Sequence, residues 1–395
     1  MTEHHDVVVV GAGLLGLAAA RALARRDVDV VVLEQDSVGH QGSGSKGSCR
    51  IFRLGYEDAG YVALARQARE LWNELEHAAG EPLLHPVPQL TSGSKMPVVM
   101  AALRQAGAAC ELLSAAEAAE RFPGVAVGGP ALLEPESAVI AADRVLATLA
   151  AAVPDLRTGV RVTSLADDGR RARLGTSPGT TSPGTASADG GGASADGGGA
   201  DIEADTVIVC AGPWSGGLLG TAGIALRSAA TLEQVAYLTG IPHGGLPIFI
   251  HFGAEVPYGL PVPGSPRYKF GLHHTGQAAD PARQDQAADG ELSRRIERAA
   301  RRFLPSLDPR PAAVERCVYD NSPDTDFIVD RIGNVVIGSG TSGHGFKFGP
   351  LLGEWLAVLA VPPEPGSGQG WLTGVPPRFA AGRLANRPIQ SGYGR

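Results

Sequence analysis

Residues 6–36 read DVVVVGAGLLGLAAARALARRDVDVVVLEQD. Val7 to Val10 is an unbroken β-branched run, as in a strand buried on both faces. Gly11-Ala12-Gly13-Leu14-Leu15-Gly16 follows as G-x-G-x-x-G, and the Leu and Ala spacing after it predicts a helix ending at Arg25 and Arg26. Two cations there suit the negative end of a helix dipole. Residues 28–33 predict a second buried strand that ends at Glu34. Gly11, Gly13 and Gly16 give the tight turn that lets a pyrophosphate approach a helix N-terminus, and Glu34 is placed to bind a ribose diol. Glu34 and Asp36 would repel a 2′-phosphate, so a dinucleotide other than NADP is expected.

The surrounding chain narrows the class. Its 395 residues suggest two or three lobes. A net charge of −7 without a basic run argues against nucleic acid and anionic membrane surfaces. No apolar stretch reaches the length of a membrane-spanning helix. The first apolar run meets Gly11 at once and lacks a basic region before it, against a signal peptide. Cys49, Cys110, Cys210 and Cys317 are widely spaced, without a C-x-x-C pair. That fits a reducing cytoplasm and argues against disulfides or a zinc site, so no metal is expected.

Further along, residues 43–48 form a Gly/Ser loop and residues 61–79 predict an amphipathic helix. Proline-rich residues 82–97 mark an exit from the first lobe. Residues 132–152 read as a strand and a returning helix, and 160–165 and 171–174 as strands. Residues 175–200 repeat TSPGT and SADGGGA, too polar to offset their ordering entropy, and predict a disordered low-complexity loop. Residues 205–217, DTVIVCAGPWSGG, read as a strand entering a glycine turn. A strand-rich section follows from 226 to 318, with a helix at 291–303. A strand–turn–helix unit is expected at 327–360, then an irregular tail. The nucleotide lobe is thus expected as 1–83, 141–225 and 319–395, and the substrate lobe as 84–140 and 226–318.

Residues 314–350, VERCVYDNSPDTDFIVDRIGNVVIGSGTSGHGFKFGP, combine a thiol, Cys317, with a glycine-rich turn carrying His344 and Lys347. Such a turn can aim N–H groups, a cation and a helix end at one anion.

These residues reach a family. The N-terminal fingerprint, Cys49-Arg50-Ile51-Phe52-Arg53, Tyr258-Gly259-Leu260-Pro261, Tyr268-Lys269-Phe270-Gly271-Leu272-His273 and Gly343-His344-Gly345-Phe346-Lys347-Phe348 together resemble the monomeric sarcosine oxidase family. That family belongs to the D-amino-acid-oxidase-like flavoproteins and includes N-methyltryptophan oxidase. The resemblance implies an α/β fold: a Rossmann-type FAD-binding domain of the glutathione-reductase-like class, with an inserted α+β substrate domain on a mostly antiparallel sheet.

It also implies roles. Cys317 would hold FAD through a thioether to the flavin 8α carbon. Gly11, Gly13, Gly16, Glu34, Gln35, Ser43, Val162, Gly343 and Gly345 would be the remaining cofactor-binding residues. Lys269 matches the lysine that activates oxygen, and Arg50 a residue near the flavin ring. Arg53 and Lys347 match the pair that clamps a substrate carboxylate. Tyr258, His273, Tyr319 and His344 match the pocket lining, with His273 and Tyr319 grouped with the catalytic candidates. Ser45-Lys46 and Thr325-Asp326 depart from the histidines and the Glu-His common in the family, which leaves pocket polarity open.

The implied activity is oxidation of the C–N bond of a secondary α-amino acid such as sarcosine. O2 would return as hydrogen peroxide, and the imine would hydrolyse to glycine and formaldehyde. N-methyltryptophan, a cyclic imino acid of the pipecolate kind in a biosynthetic pathway, or a dehydrogenase with another acceptor are the alternatives. A cytoplasmic monomer is expected.

Overall fold

The computed structural model describes residues 2–179, 201–282, 287–363 and 374–385. The chain divides into two compact units. One takes the described residues up to Lys46, from Leu146 to Ala230, and from Tyr319 onward; the other takes Gly47–Val145 and Thr231–Val318. The first crossing therefore falls at Lys46/Gly47, not in the proline-rich residues 82–97. Pairing of the strand Cys49–Phe52 with Ala138–Ala141, Cys49 opposite Ala141, ties the intervening segment to the second unit.

In the first unit the strand Glu3–Val10 lies parallel to Val30–Glu34 on one edge, with Val10 opposite Leu33. On its other edge it lies parallel to Asp201–Val209, with Val10 opposite Val209. Asp201–Val209 is shared along its length. Its start pairs antiparallel with Ala172–Pro178, and its end pairs parallel with Val335–Ser339. Val30–Glu34 continues the sheet to Asp155–Thr158. Val7, Val8, Val9, Val31 and Val32 are fully buried, which is why these segments read as continuous apolar runs rather than as alternation.

The helix Leu14–Ala24 packs against the helix Gly349–Ala360. A Cβ on Gly349 would come within 2.6 Å of Leu14, and one on Gly353 within 2.5 Å of Ala18. Missing side chains at these points set the helix separation.

Several expected elements extend or split. The strand expected at 171–174 spans Ala172–Pro178, so residues 175–178 are strand where a loop was predicted, and the rest of that prediction, 180–200, lies outside the described residues. Residues 132–152 hold two strands, Ala131–Glu134 and Ala138–Ala141, before the helix Ala142–Ala151. Residues 327–360 hold the antiparallel strands Ile328–Ile332 and Val335–Ser339, a 3-10 turn Phe346–Phe348 and the helix.

The second unit is built on a sheet with nine strands among the described residues. Its pairs run antiparallel from Gln277–Ala278 through Ala229–Thr239, Tyr268–Leu272 and Pro257–Pro261 to Ile248–Phe252. One parallel step leads to Gln89–Gly93, and antiparallel pairing resumes to Ala131–Glu134 and Glu111–Leu113. The period of two along Tyr268–Leu272 assigns its faces. Tyr268, Phe270 and Leu272 join a core with Leu292, Ile296 and Phe303 of the amphipathic helix Gly290–Phe303. Lys269 and Gly271 point the other way, sharing a face with their register partners Tyr237, Val235, Leu260 and Tyr258.

Candidate functional site

The glycine turn of the first unit is built for close approach. Gly11 has φ +100°, and a Cβ there would lie 2.6 Å from the Cys210 carbonyl oxygen. A Cβ on Gly16 would lie 1.9 Å from the Gly11 carbonyl oxygen. Gly13 caps the helix without a side chain, and the Leu14 N–H donates to Ser45 Oγ at 3.0 Å.

Glu34 is buried, and both its oxygens accept backbone hydrogen bonds: Oε2 from Ala12 N–H at 2.8 Å and Oε1 from Asp36 N–H at 3.0 Å. Each oxygen keeps a second lone pair for a ligand donor. Gln35 follows Glu34, and its carbonyl oxygen would lie 2.0 Å from a Cβ on Gly179. Ser43 Oγ accepts from Ser45 N–H at 3.2 Å, which shapes the loop that brings Ser45 to the helix start. Val162 lies on the strand Val160–Asp167, opposite Thr176, three residues after Gly159, whose N–H donates to Asp36 O at 3.3 Å. A glycine turn that no Cβ could enter, a helix N-terminus and a buried carboxylate fit a dinucleotide.

A second glycine turn of the same unit is held by Asp320. Its Oδ2 accepts from Ser339 Oγ at 2.6 Å and Gly340 N–H at 2.7 Å, while its carbonyl accepts from Ser342 N–H at 2.8 Å. Burial pushes the Asp320 carboxyl above the usual carboxylate range. Gly343 has φ +73°, and a Cβ there would lie 2.1 Å from the Tyr319 ring; a Cβ on Gly345 would press on Thr341 at 2.7 Å. His344 Nε2 lies 2.9 Å from the Thr325 carbonyl oxygen, and its ring is tilted against Phe327 at 4.8 Å. Lys347 is buried and donates to the His344 carbonyl at 3.0 Å.

In the second unit, Lys269 is buried on the sheet face shared with Tyr258 and Tyr237. Its ammonium donates to Cys49 O at 3.4 Å, the carbonyl that also accepts from Arg50 Nη1 at 2.9 Å. Burial first, then the Arg50 charge, lowers the Lys269 pKa, with Cys49, Cys317 and Glu315 acting in the opposite direction. Cys317, half-buried, is thus among the groups that interact with Lys269. Tyr258 meets His273 edge-on at 6.3 Å, and His273 lies 4.0 Å from the His274 ring.

Arg53 stacks over Tyr56 at 4.6 Å and donates to the Gly55 carbonyl. Gly55 is itself anchored, its N–H donating to the buried Glu134 at 2.8 Å. Arg53 belongs to the second unit and Lys347 to the first.

Reading the residues missed Ser45, Asp320, Glu134, Tyr237 and Glu315 as supports of these sites. Two signals were available. Glu315 and Cys317 lie two apart on the strand Asp308–Asn321, hence on one face. Only four of the 34 basic residues are lysines, and three of the four, Lys46, Lys269 and Lys347, are buried. In a chain that otherwise uses arginine, a buried lysine is a signal of compact point charge.

The chain belongs to the DAO family of FAD dependent oxidoreductases, whose model matches residues 6–359. It is 30% identical over 379 residues to the peroxisomal sarcosine oxidase of Homo sapiens, covering 90% of this chain and 92% of that protein. To the monomeric sarcosine oxidase of Bacillus sp. (strain B-0618) it is 28% identical over 380 residues, covering 91% and 93%. Among solved structures it is similar to NikD, described as an unusual amino acid oxidase essential for nikkomycin biosynthesis, with a TM-score of 0.78, 25% identity, and coverage of 94% and 97%. The Rossmann-type assignment and the flavoprotein class are thereby established. No helix among the described residues is long and apolar enough to cross a membrane.

Proposed function

We propose that this chain is an FAD-dependent oxidase of a secondary α-amino acid, sarcosine or a relative of it, with O2 as acceptor. The observation that carries the reading is Lys269. It is a buried cation with Arg50 beside the same carbonyl, on the sheet face that also holds Tyr258. Keeping two cations near one another under burial is unfavourable, and a site that stabilises developing negative charge gives it a use.

FAD, when bound, supplies the two-electron acceptor for the C–N bond and passes the electrons to O2. The glycine turn 11–16, Glu34, Gln35, Ser43 and Val162 would hold its dinucleotide part; Gly343 and Gly345 would face its ring system; Cys317 would be its covalent anchor. Arg53 would offer a planar fork and Lys347 a point charge to the substrate carboxylate. Tyr258, His273, Tyr319 and His344 would line the pocket. Lys269 would place positive charge where O2 becomes anionic. For sarcosine, the substrate, O2 and water would give glycine, formaldehyde and hydrogen peroxide.

The likeness to NikD supports a second reading within the class, in which the substrate is a bulkier or cyclic amino acid of a biosynthetic route. Peroxide release measured over N-methyl and cyclic amino acids separates the two. No peroxide from any of them under air, with reduction of an artificial electron acceptor instead, would overturn the oxidase reading. Wild-type protein precipitated with acid should stay yellow and Cys317→Ala should not; colour retained in the variant refutes the covalent anchor.

A further inference from the structure

Gly47 marks a point around which three charged groups of the second unit gather. A Cβ built on it would lie 3.3 Å from Arg50 Nη1, 3.6 Å from Glu315 Oε2 and 3.7 Å from Lys269 Nζ. Two cations and one carboxylate thus surround the space left by a missing side chain. Tyr237 fixes the carboxylate, donating from its hydroxyl to Glu315 Oε2 at 2.8 Å. Tyr237 is also the direct register partner of Lys269, with the ammonium 5.9 Å from its ring centroid. The groups that face Lys269 within this unit are therefore Cys49 and Arg50 from one strand, Tyr237 from the second, and Glu315 and Cys317 from the third.

We propose that Glu315 is the counter-charge that keeps Lys269 protonated beside Arg50, and that Tyr237 is the clamp that holds this carboxylate in place. Both are positioning residues. The proposal rests on the reading of Lys269 as the charge that assists O2, and deepens it. The physical need is direct: burial and the neighbouring guanidinium both favour the neutral amine, and a neutral amine brings no positive charge to a developing anion. A fixed carboxylate opposes both effects. A tyrosine clamp keeps it from turning away without adding a charge.

The test uses the full-length flavoprotein labelled with [13Cε]lysine. Four lysines give four signals, and Lys269→Met assigns the one of interest. In Glu315→Gln the ammonium-to-amine ratio of Lys269 at a given pH should fall, by roughly threefold or more. In Tyr237→Phe it should fall in the same direction by less. The rate of reoxidation by O2 should begin its alkaline decline at lower pH in Glu315→Gln, with the substrate KM unchanged. An unchanged Lys269 titration in whichever of the two variants keeps the other lysine signals at their wild-type positions overturns the proposal. Should Lys269→Met reoxidise as fast as wild type while the Glu315→Gln titration still shifts, the oxygen role of Lys269 fails and the charge pairing stands.

Discussion

Replacing Glu134 by Gln removes one charge and one acceptor from a buried site, and the consequence can be worked through atom by atom. Glu134 is 2% exposed and stands opposite Gln89 in the sheet. Its Oε1 accepts from Gln89 Nε2 at 2.8 Å and Thr91 Oγ1 at 2.9 Å; its Oε2 accepts from Gly55 N–H at 2.8 Å. An amide can keep its oxygen toward Gln89 and Thr91 only by turning its NH2 toward the Gly55 N–H, donor against donor. One buried hydrogen bond to a charged acceptor is lost, costing about 2 kcal/mol. With an unfolding entropy near 2.1 cal/mol/K per residue, that lowers the midpoint by about 2–3 °C if the whole chain unfolds together. Differential scanning calorimetry reads this directly, and Glu134→Ala should lose more because the Gly55 N–H and the Thr91 hydroxyl both lose their acceptor while Gln89 Nε2 keeps only Thr91 Oγ1. Since Arg53 donates to the carbonyl of the same Gly55, loosening that residue should also weaken competition by acetate. Wild-type melting together with wild-type acetate affinity in Glu134→Gln would refute the anchoring.

Three further perturbations test other parts of the structure. Gly16→Ala places a methyl 1.9 Å from the Gly11 carbonyl oxygen, so the purified protein should carry less than about a tenth of the wild-type flavin absorbance per chain, a change in site occupancy worth upward of ~1.4 kcal/mol. Lys269→Met should stabilise the protein at neutral pH by on the order of 1 kcal/mol, since burial and Arg50 repulsion outweigh the pull of Glu315 on this ammonium, and Glu315 keeps Arg50 as a neighbouring cation. The folded-state pKa of Lys269 is lowered, so the unfolded chain binds more protons between that pKa and the ordinary lysine value. Wild-type stability therefore rises with pH through the window, and the advantage of the variant should narrow, as denaturant titrations at several pH values would show. Arg383 holds Asp324 through two bonds of 3.0 and 2.9 Å and the Asp326 carbonyl at 2.9 Å. Arg383→Ala leaves a half-buried carboxylate without that partner and should cost about 1–3 kcal/mol; proteolysis within residues 374–385 faster than in wild type would register it.

What was legible in the residues was mostly local. Val7 to Val10 and residues 28–33 declare themselves because strands buried on both faces must be apolar throughout. The helix Gly290–Phe303 was readable because its apolar positions recur on one face. The passage from one unit to the other at Lys46/Gly47 was not, because it depends on Cys49–Phe52 finding Ala138–Ala141 some ninety residues away in the chain, about the reach of a small domain, and no local pattern encodes that register. The faces of Tyr268–Leu272 follow from its alternation, so Lys269 could be placed opposite the aromatic core. The supports could not: Glu134, Tyr237 and Glu315 are ordinary residue types whose roles arise from tertiary neighbours. Asp320 is similar, since only the fold shows that its carboxyl closes on Ser339 and Gly340.

The sheet of the first unit also bears on how the protein is made. Its first-synthesised strand, Glu3–Val10, has as one neighbour Asp201–Val209, and that strand pairs in turn with Val335–Ser339. The fingerprint helix rests on the helix Gly349–Ala360. Synthesis must therefore have passed residue 360 before the glycine turn at residues 11–16 gains its full support, and the closing contacts are of high sequence separation and slow to form. Flavin capture is then expected only after residue 360 has been made. Nascent chains stalled before residue 335 should remain protease-sensitive even with FAD present, whereas chains extended beyond residue 360 should become resistant.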